Sequence, residues 1–186
     1  VSSGRRWPTT LTRGDFQRVT GLRDFPASLA GLVKDDRLDF FANTEVSYAL
    51  RGVQVRLRAL WSYEAPEGGG DTHFAVARGL RSRIEIRQGP EQKWKTELYV
   101  VPTGTEVGTA LEKKIASLQR HFPGLAVAKE GETLRVVVPD RYRTSHEAHF
   151  AEVTERFLGY LEDPKTLPGW EKANMLAKYY VTTKGT

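Results

Sequence analysis

Val46-Ser-Tyr-Ala-Leu-Arg-Gly-Val-Gln-Val-Arg-Leu-Arg-Ala-Leu-Trp-Ser-Tyr63 is the stretch that decides the fold. Val46, Tyr48 and Leu50 alternate with Ser47, Ala49 and Arg51. Beyond Gly52, Val53, Val55, Leu57, Ala59, Trp61 and Tyr63 alternate with Gln54, Arg56 and Arg58. Successive side chains of a strand point to opposite faces. This period of two therefore predicts two strands, each with one apolar face, that turn or bend at Gly52.

Further strand patterns follow at Thr72–Arg78, Arg83–Arg87, Lys95–Val101, Leu125–Ala128 and Leu134–Val138, with Gly131 in a short turn between the last two. Elsewhere the period is helical. Val107, Leu111, Ile115, Leu118 and Phe122 make one stripe, with Thr103 and Glu106 as a capping box ahead of it and Pro123-Gly124 closing it. Thr144 and Glu147 repeat the box ahead of Phe150, Val153, Phe157 and Leu161. Pro168 opens a last helix carrying Trp170, Ala173, Ala177 and Tyr180. Residues 1–36 read as a loop and short-helix lead-in. There Thr12 and Asp15 resemble a capping box, Gly21 a stop, and Pro26 the opening of a second short helix. Most strand connections are short, which makes the pairing largely antiparallel. The expectation is a single α+β domain over 1–186, a large, mostly antiparallel open sheet with helices packed on one face. The other face is expected to carry Arg56, Arg58, Ala75, Ala77, Arg83 and Arg87.

With 186 residues, 39% hydrophobic and 27% charged, the composition is that of a globular domain, not a disordered chain. No apolar run nears the roughly 18 residues of a membrane helix, so no membrane partner is expected. Cysteine is absent, which removes disulfides, thiolate metal ligands and cysteine nucleophiles together. The net charge of +5 is scattered among carboxylates without a run of four cations, so nucleic acid is not the expected partner. The chain opens at Val1 without an initiator Met, which suggests a piece of something longer or a processed N-terminus. Cytoplasm and periplasm both remain open as compartments.

A dinucleotide site needs glycines at a strand-to-helix turn, where the pyrophosphate meets the helix N-terminus. No G-x-G-x-x-G occurs, so no cofactor-binding residue is expected in this chain. Gly68-Gly69-Gly70 lies between two strands and lacks the Lys-Ser/Thr of a phosphate loop. It reads as a flexible connection or as backbone that must approach a ligand. His146-Glu147-Ala148-His149 spaces its imidazoles at i and i+3, not the i and i+4 of a metalloprotease helix, and suggests no metal. Asp71 and His73 stand two apart at a strand start. They could orient an imidazole or hold a sugar hydroxyl, or be an ordinary turn residue and a surface histidine. The alternating Arg56/Arg58 and Arg83/Arg87 read as solvated or interface charges more than as a ligand patch.

Five stretches together carry a resemblance. They are Trp7-Pro-Thr-Thr-Leu11, Glu64-Ala-Pro-Glu-Gly-Gly-Gly-Asp-Thr-His73, Ile86-Arg-Gln-Gly89, His146-Glu-Ala-His-Phe150 and Met175-Leu-Ala-Lys-Tyr-Tyr180. The whole chain resembles the C-terminal domain of oxidoreductases of the Gfo/Idh/MocA group. The resemblance implies an enzyme that oxidises or epimerises sugars or polyols with NAD or NADP. It implies that the cofactor binds an N-terminal Rossmann domain missing here, and that the open sheet packs against a second subunit. The group's Lys-Pro dipeptide and its Asp-x-x-x-His pattern are absent, so no catalytic residue is carried over. Arg6 and Trp7, just after the place where that pattern is expected, join Asp71 and His73 as candidate substrate-binding residues. The competing readings are a stand-alone carbohydrate-binding or interaction module and a nucleic-acid binder using the Arg-rich face.

Overall fold

The structure, a computed structural model, describes residues 1–65 and 67–185. Pro66, inside the Glu64–His73 motif, and Thr186 lie outside the described residues. The α+β class and the antiparallel pairing are as expected from the sequence. The strands, however, fall in two sheets, of four and five, within two compact units.

The first unit comprises Val1–Glu64 and Gly159–Thr186. It opens with a ten-residue strand, β1 (Ser3–Thr12), where a loop was expected. The pattern is hard to read because only Leu11 of this strand is buried. Backbone pairing holds the strand instead, from Ser3 opposite Ser47 to Thr12 opposite Arg37. Pro8 has no N–H to give to the ladder, and the register shifts between Trp7 and Thr9.

Helix α1 (Arg13–Thr20) begins with the expected capping box. The Asp15 N–H donates to Thr12 Oγ1 and the Thr12 N–H to Asp15 Oδ2. It ends on Gly21 with φ 75°, which only glycine adopts at no steric cost. A 3-10 turn at Ala27–Leu29 follows Pro26. Next come β2 (Val33–Lys34), β3 (Arg37–Leu50) and β4 (Val53–Ala59). Asp35-Asp36 and Arg51-Gly52, all at positive φ, make the two tight turns between them. Strand β3 is central, pairing with β1, β2 and β4. The core here is Leu11, Phe16 and Leu38, with Phe25, Leu29, Val33, Trp61 and Tyr63 packed around it.

The second unit, Ala65–Leu158, holds β5 (His73–Arg78), β6 (Ser82–Gln88), β7 (Glu97–Pro102), helix α2 (Val107–Leu118), β8 (Ala126–Glu130) and β9 (Thr133–Val137). Its sheet runs β5-β6-β7-β9-β8, with every neighbouring pair antiparallel. Directly paired residues share a face. Ala75 pairs with Ile86 and Ala77 with Ile84, so the alanines lie on the apolar face. Arg83 and Arg87 pair with Arg78 and Phe74 on the opposite face. The expected grouping of Ala75 and Ala77 with the arginines is therefore corrected: the polar face carries Val76, Glu85, Tyr99 and Arg135 instead.

Glu85 is only 5% exposed. It accepts from Arg83 Nε, and from Arg87 Nε at 2.8 Å and Nη2 at 2.6 Å. Arg87 also lies 4.4 Å from the Tyr99 ring centroid. The Arg83 bond first, and then Arg87, hold the Glu85 carboxyl below its ordinary 4.5, although burial pushes the other way. A carboxyl depressed in the folded state stabilises above its unfolded pKa, and that contribution is lost as pH falls through the folded value. Glu85→Gln is therefore expected to be less stable than the parent at pH 7. The gap should close as pH is lowered from 4.5. Urea unfolding at several pH values checks this, and a gap unchanged down to pH 3 would show that the cluster stabilises nothing.

Helix α3 (His146–Glu162) and helix α4 (Trp170–Lys184) complete the chain. The two later capping boxes do not form as expected. Glu106 makes no side-chain cap at α2, while the Thr103 N–H goes to the Arg81 carbonyl. At α3 it is Ser145, not Thr144, whose hydroxyl accepts from the Ala148 N–H. Helix α2 buries Ile115, whereas α3 and α4 bury no residue. The end of α4 meets β1 where Gly4 faces Gly185. A Cβ on Gly4 would overlap the Gly185 backbone, and one on Gly185 would overlap the Val46 side chain.

Candidate functional site

The second unit contains an open cleft of about 990 Å³. Its wall is the end of β6 with the loop that follows it, the end of β9, and the segment leading into α3. Gln88, Trp94, Lys95 and Thr96 come from the first of these. Val138, Asp140, Tyr142, Arg143, Thr144 and His146 come from the other two, and Asp71 contributes from just before β5.

Local backbone chemistry sets the first wall. After the 3-10 turn Pro90–Gln92, Lys93 and Trp94 both adopt left-handed conformations, with φ 52° and 61°. Non-glycine residues there cost on the order of 1 kcal/mol each, and such strain concentrates where a side chain is being presented. The turn is closed by the Trp94 N–H donating to the Gly89 carbonyl at 2.9 Å. A half-buried indole is thereby held at the cleft.

Arg143 fixes the second wall. Its Nη1 donates to the Thr96 carbonyl at 2.7 Å and its Nη2 to Glu97 Oε1 at 2.9 Å. Glu97 is itself largely buried, with Arg135 Nη1 3.7 Å from its other oxygen. Gln88 links the remaining pieces, donating to the Asp71 carbonyl at 2.8 Å and accepting from Thr96 Oγ1 at 2.6 Å. Lys95 and Asp140 are 3.9 Å apart and exposed. At the α3 start, the Glu147 carboxyl lies below the usual range. Its own backbone N–H is the main cause, followed by the Ser145 hydroxyl.

The lining balances two cations, Lys95 and Arg143, against two carboxylates, Asp71 and Asp140. It adds two aromatic faces and several neutral hydrogen-bonding groups. That combination suits a neutral, polyhydroxylated ligand stacked on an aromatic face.

The candidate residues separate. Asp71 lines the cleft. His73 opens β5 opposite Gln88 but is not part of the lining. Gly68 takes a positive φ of 66°, and a Cβ at Gly68 or Gly70 would meet no other atom of the protein. Arg6 and Trp7 belong to the first unit. Arg6 Nη2 donates to the Phe41 carbonyl. The Trp7 ring has Arg5 at 4.7 Å and Arg58 at 5.7 Å from its centroid. Its carbonyl accepts from the buried Asn43 amide, whose Oδ1 accepts in turn from the Trp61 N–H. Sequence reasoning missed Trp94, Tyr142 and Arg143. The signal available was Gln92-Lys-Trp-Lys95, a lone aromatic between lysines in a strand connection. The first unit also has a hollow of about 360 Å³, lined mainly by apolar groups such as Leu29, Phe40 and Trp61, with no chemistry of its own.

The starts of the helices bear on whether a nicotinamide dinucleotide fits this chain. A pyrophosphate needs free N–H groups and no competing anion. Helix α1 has Asp15 bonded into its first turn, α2 starts behind Glu106, and α3 carries Glu147 there. A pyrophosphate at any of these three helix starts would meet a carboxylate.

A family model described as "Putative oxidoreductase C terminal domain" matches residues 1–186. The chain belongs to this family. No curated protein matches this oxidoreductase C-terminal domain. Among solved structures it is similar to a "putative oxidoreductase" from Parabacteroides merdae, with 39% identity and a TM-score of 0.91. The match covers 98% of the present chain but only 43% of that relative, so the domain spans less than half of its length.

Proposed function

We propose that this domain recognises the substrate, and contributes to oligomerisation, in an NAD- or NADP-dependent sugar or polyol oxidoreductase of the Gfo/Idh/MocA group, and that it is inactive alone. The cleft presenting Trp94, Tyr142 and Arg143 carries the reading. The aromatic faces accept the C–H side of a sugar ring, and Arg143, Gln88, Thr96 and Asp71 meet its hydroxyls. The acidic helix starts support binding of the nicotinamide by a separate Rossmann domain of the full-length enzyme, which would also supply the catalytic residues. The polar face around Glu85 is the proposed contact with a second subunit, and a substitution that probes it belongs at Val76, not at Ala75 or Ala77.

Titration calorimetry tests the division of labour. Residues 1–186 should bind neither NAD nor NADP tighter than about 1 mM, roughly −4 kcal/mol, while the full-length enzyme binds one of them well below that. Saturable nicotinamide binding by 1–186 overturns the proposal. A full-length protein that binds the sugar but no nicotinamide favours the second reading, a carbohydrate-binding or interaction module without enzymatic activity.

A further inference from the structure

A guanidinium has five N–H groups to give. In Arg143, Nη1 donates to the Thr96 carbonyl, Nη2 to Glu97 Oε1 and Nε, at 3.4 Å, to the Val138 carbonyl. The remaining N–H groups are left for a ligand in the cleft that Arg143 lines. Glu97 does not line the cleft, yet its side chain is only 11% exposed, against 22% for Arg143. Glu97 Oε2 is buried without a hydrogen-bond partner. An orphan acceptor of this kind is rare in a native fold and costs stability, so a carboxylate at this position asks for a reason beyond packing.

The neighbouring cations leave the charge of Glu97 to Arg143. Arg87 faces Glu97 across the β6–β7 ladder, but its guanidinium donates to Glu85. Arg135 stands 3.7 Å from the orphan oxygen, yet its Nε donates to Glu130 at 2.5 Å. The other charges of the cleft, on Asp71, Lys95 and Asp140, are exposed, and water and salt screen them. The sheltered field is therefore set by the Arg143–Glu97 pair, which carries no net charge. Resting on the reading that this cleft binds the substrate, we propose that Glu97 is the positioning residue that makes it select neutral sugars or polyols over their acids. Glu97 fixes the Arg143 fork and cancels the charge that would otherwise draw a carboxylate. A hydroxyl still finds N–H donors there. A carboxylate would give up its hydration for a cation already matched, close to a second sheltered carboxylate.

Calorimetric titration of the full-length protein tests this, with hexoses each paired with the uronate and hexitols each paired with the hexonate. The parent should bind its best neutral ligand about tenfold or more tightly than the paired acid. Glu97→Gln, equal in size but uncharged, should weaken the neutral ligand and strengthen the acid, bringing the two within about twofold. Arg143→Gln should weaken the neutral ligand without admitting the acid, and it decides the matter if Glu97→Gln does not fold. Three outcomes overturn the proposal: a parent that binds no pair or prefers the acid, a Glu97→Gln protein that loses both ligands in equal proportion, and an Arg143→Gln protein that gains the acid. Trp94→Ala separates the role of Glu97 from that of the cleft. Weaker sugar binding by Trp94→Ala with an unchanged preference in Glu97→Gln sinks the role of Glu97 alone. Binding untouched by either substitution places the substrate elsewhere and sinks both.

Discussion

Leu38→Ala is expected to lower the unfolding free energy by about 2–3 kcal/mol, within the usual cost of truncating a core leucine. Leu38 is 6% exposed and sits on the central strand β3, directly between Leu11 of β1 and Val33 of β2. Phe16 completes the cluster from α1. Truncation removes most of a side chain that joins three strands and a helix. Leu38 also lines the apolar hollow of the first unit, so the loss enlarges a space already open instead of sealing a new void. That places the cost in the lower part of the range for buried leucines. Leu50, on the same strand but 52% exposed, provides the comparison, since its truncation should cost under about 0.5 kcal/mol. Urea melts of both variants measure the difference. Equal midpoints would mean that the core of this unit lies elsewhere.

Under the proposed function, Trp94→Ala in the full-length protein should raise KM for the proposed sugar or polyol by about 10- to 100-fold, equivalent to roughly 1.4–2.8 kcal/mol. The indole is the largest face in the cleft, and two consecutive left-handed residues hold it there. Its loss removes contact made in ground and transition states alike, so kcat should change much less. His73→Ala, at a residue outside the lining, should leave KM within about twofold. The outcome that sinks the cleft is a Trp94→Ala enzyme with unchanged KM and a His73→Ala enzyme with a raised one.

Regular alternation made the sheet legible. The β3–β4 hairpin and the strands of the second unit could be read because apolar and polar residues keep a period of two over most of their length. Strand β1 could not, since its Arg5-Arg6-Trp7-Pro8 run follows no period and its order comes from backbone pairing to a strand about forty residues away. The Asp35-Asp36 turn escaped notice because neither residue is glycine, although both adopt positive φ. The same holds for Lys93-Trp94, which builds the cleft. Capping was legible only in part. Thr12 and Asp15 act as their spacing suggests, whereas Ser145 displaces Thr144 by one residue. The face of Ala75 and Ala77 depends on cross-strand register, which one strand's own sequence does not contain.

The meeting of Gly4 with Gly185 has a consequence for the order in which the chain can mature. The two residues lie about 180 positions apart, so their contact closes a very long loop. Strands β1 and β3 can pair with each other first, but Val46 waits for the end of α4 to reach it. Until then the sheet of the first unit keeps an uncovered patch at Val46. Closing so long a loop carries an entropic penalty that local hairpins avoid, which makes this clasp a late event in refolding.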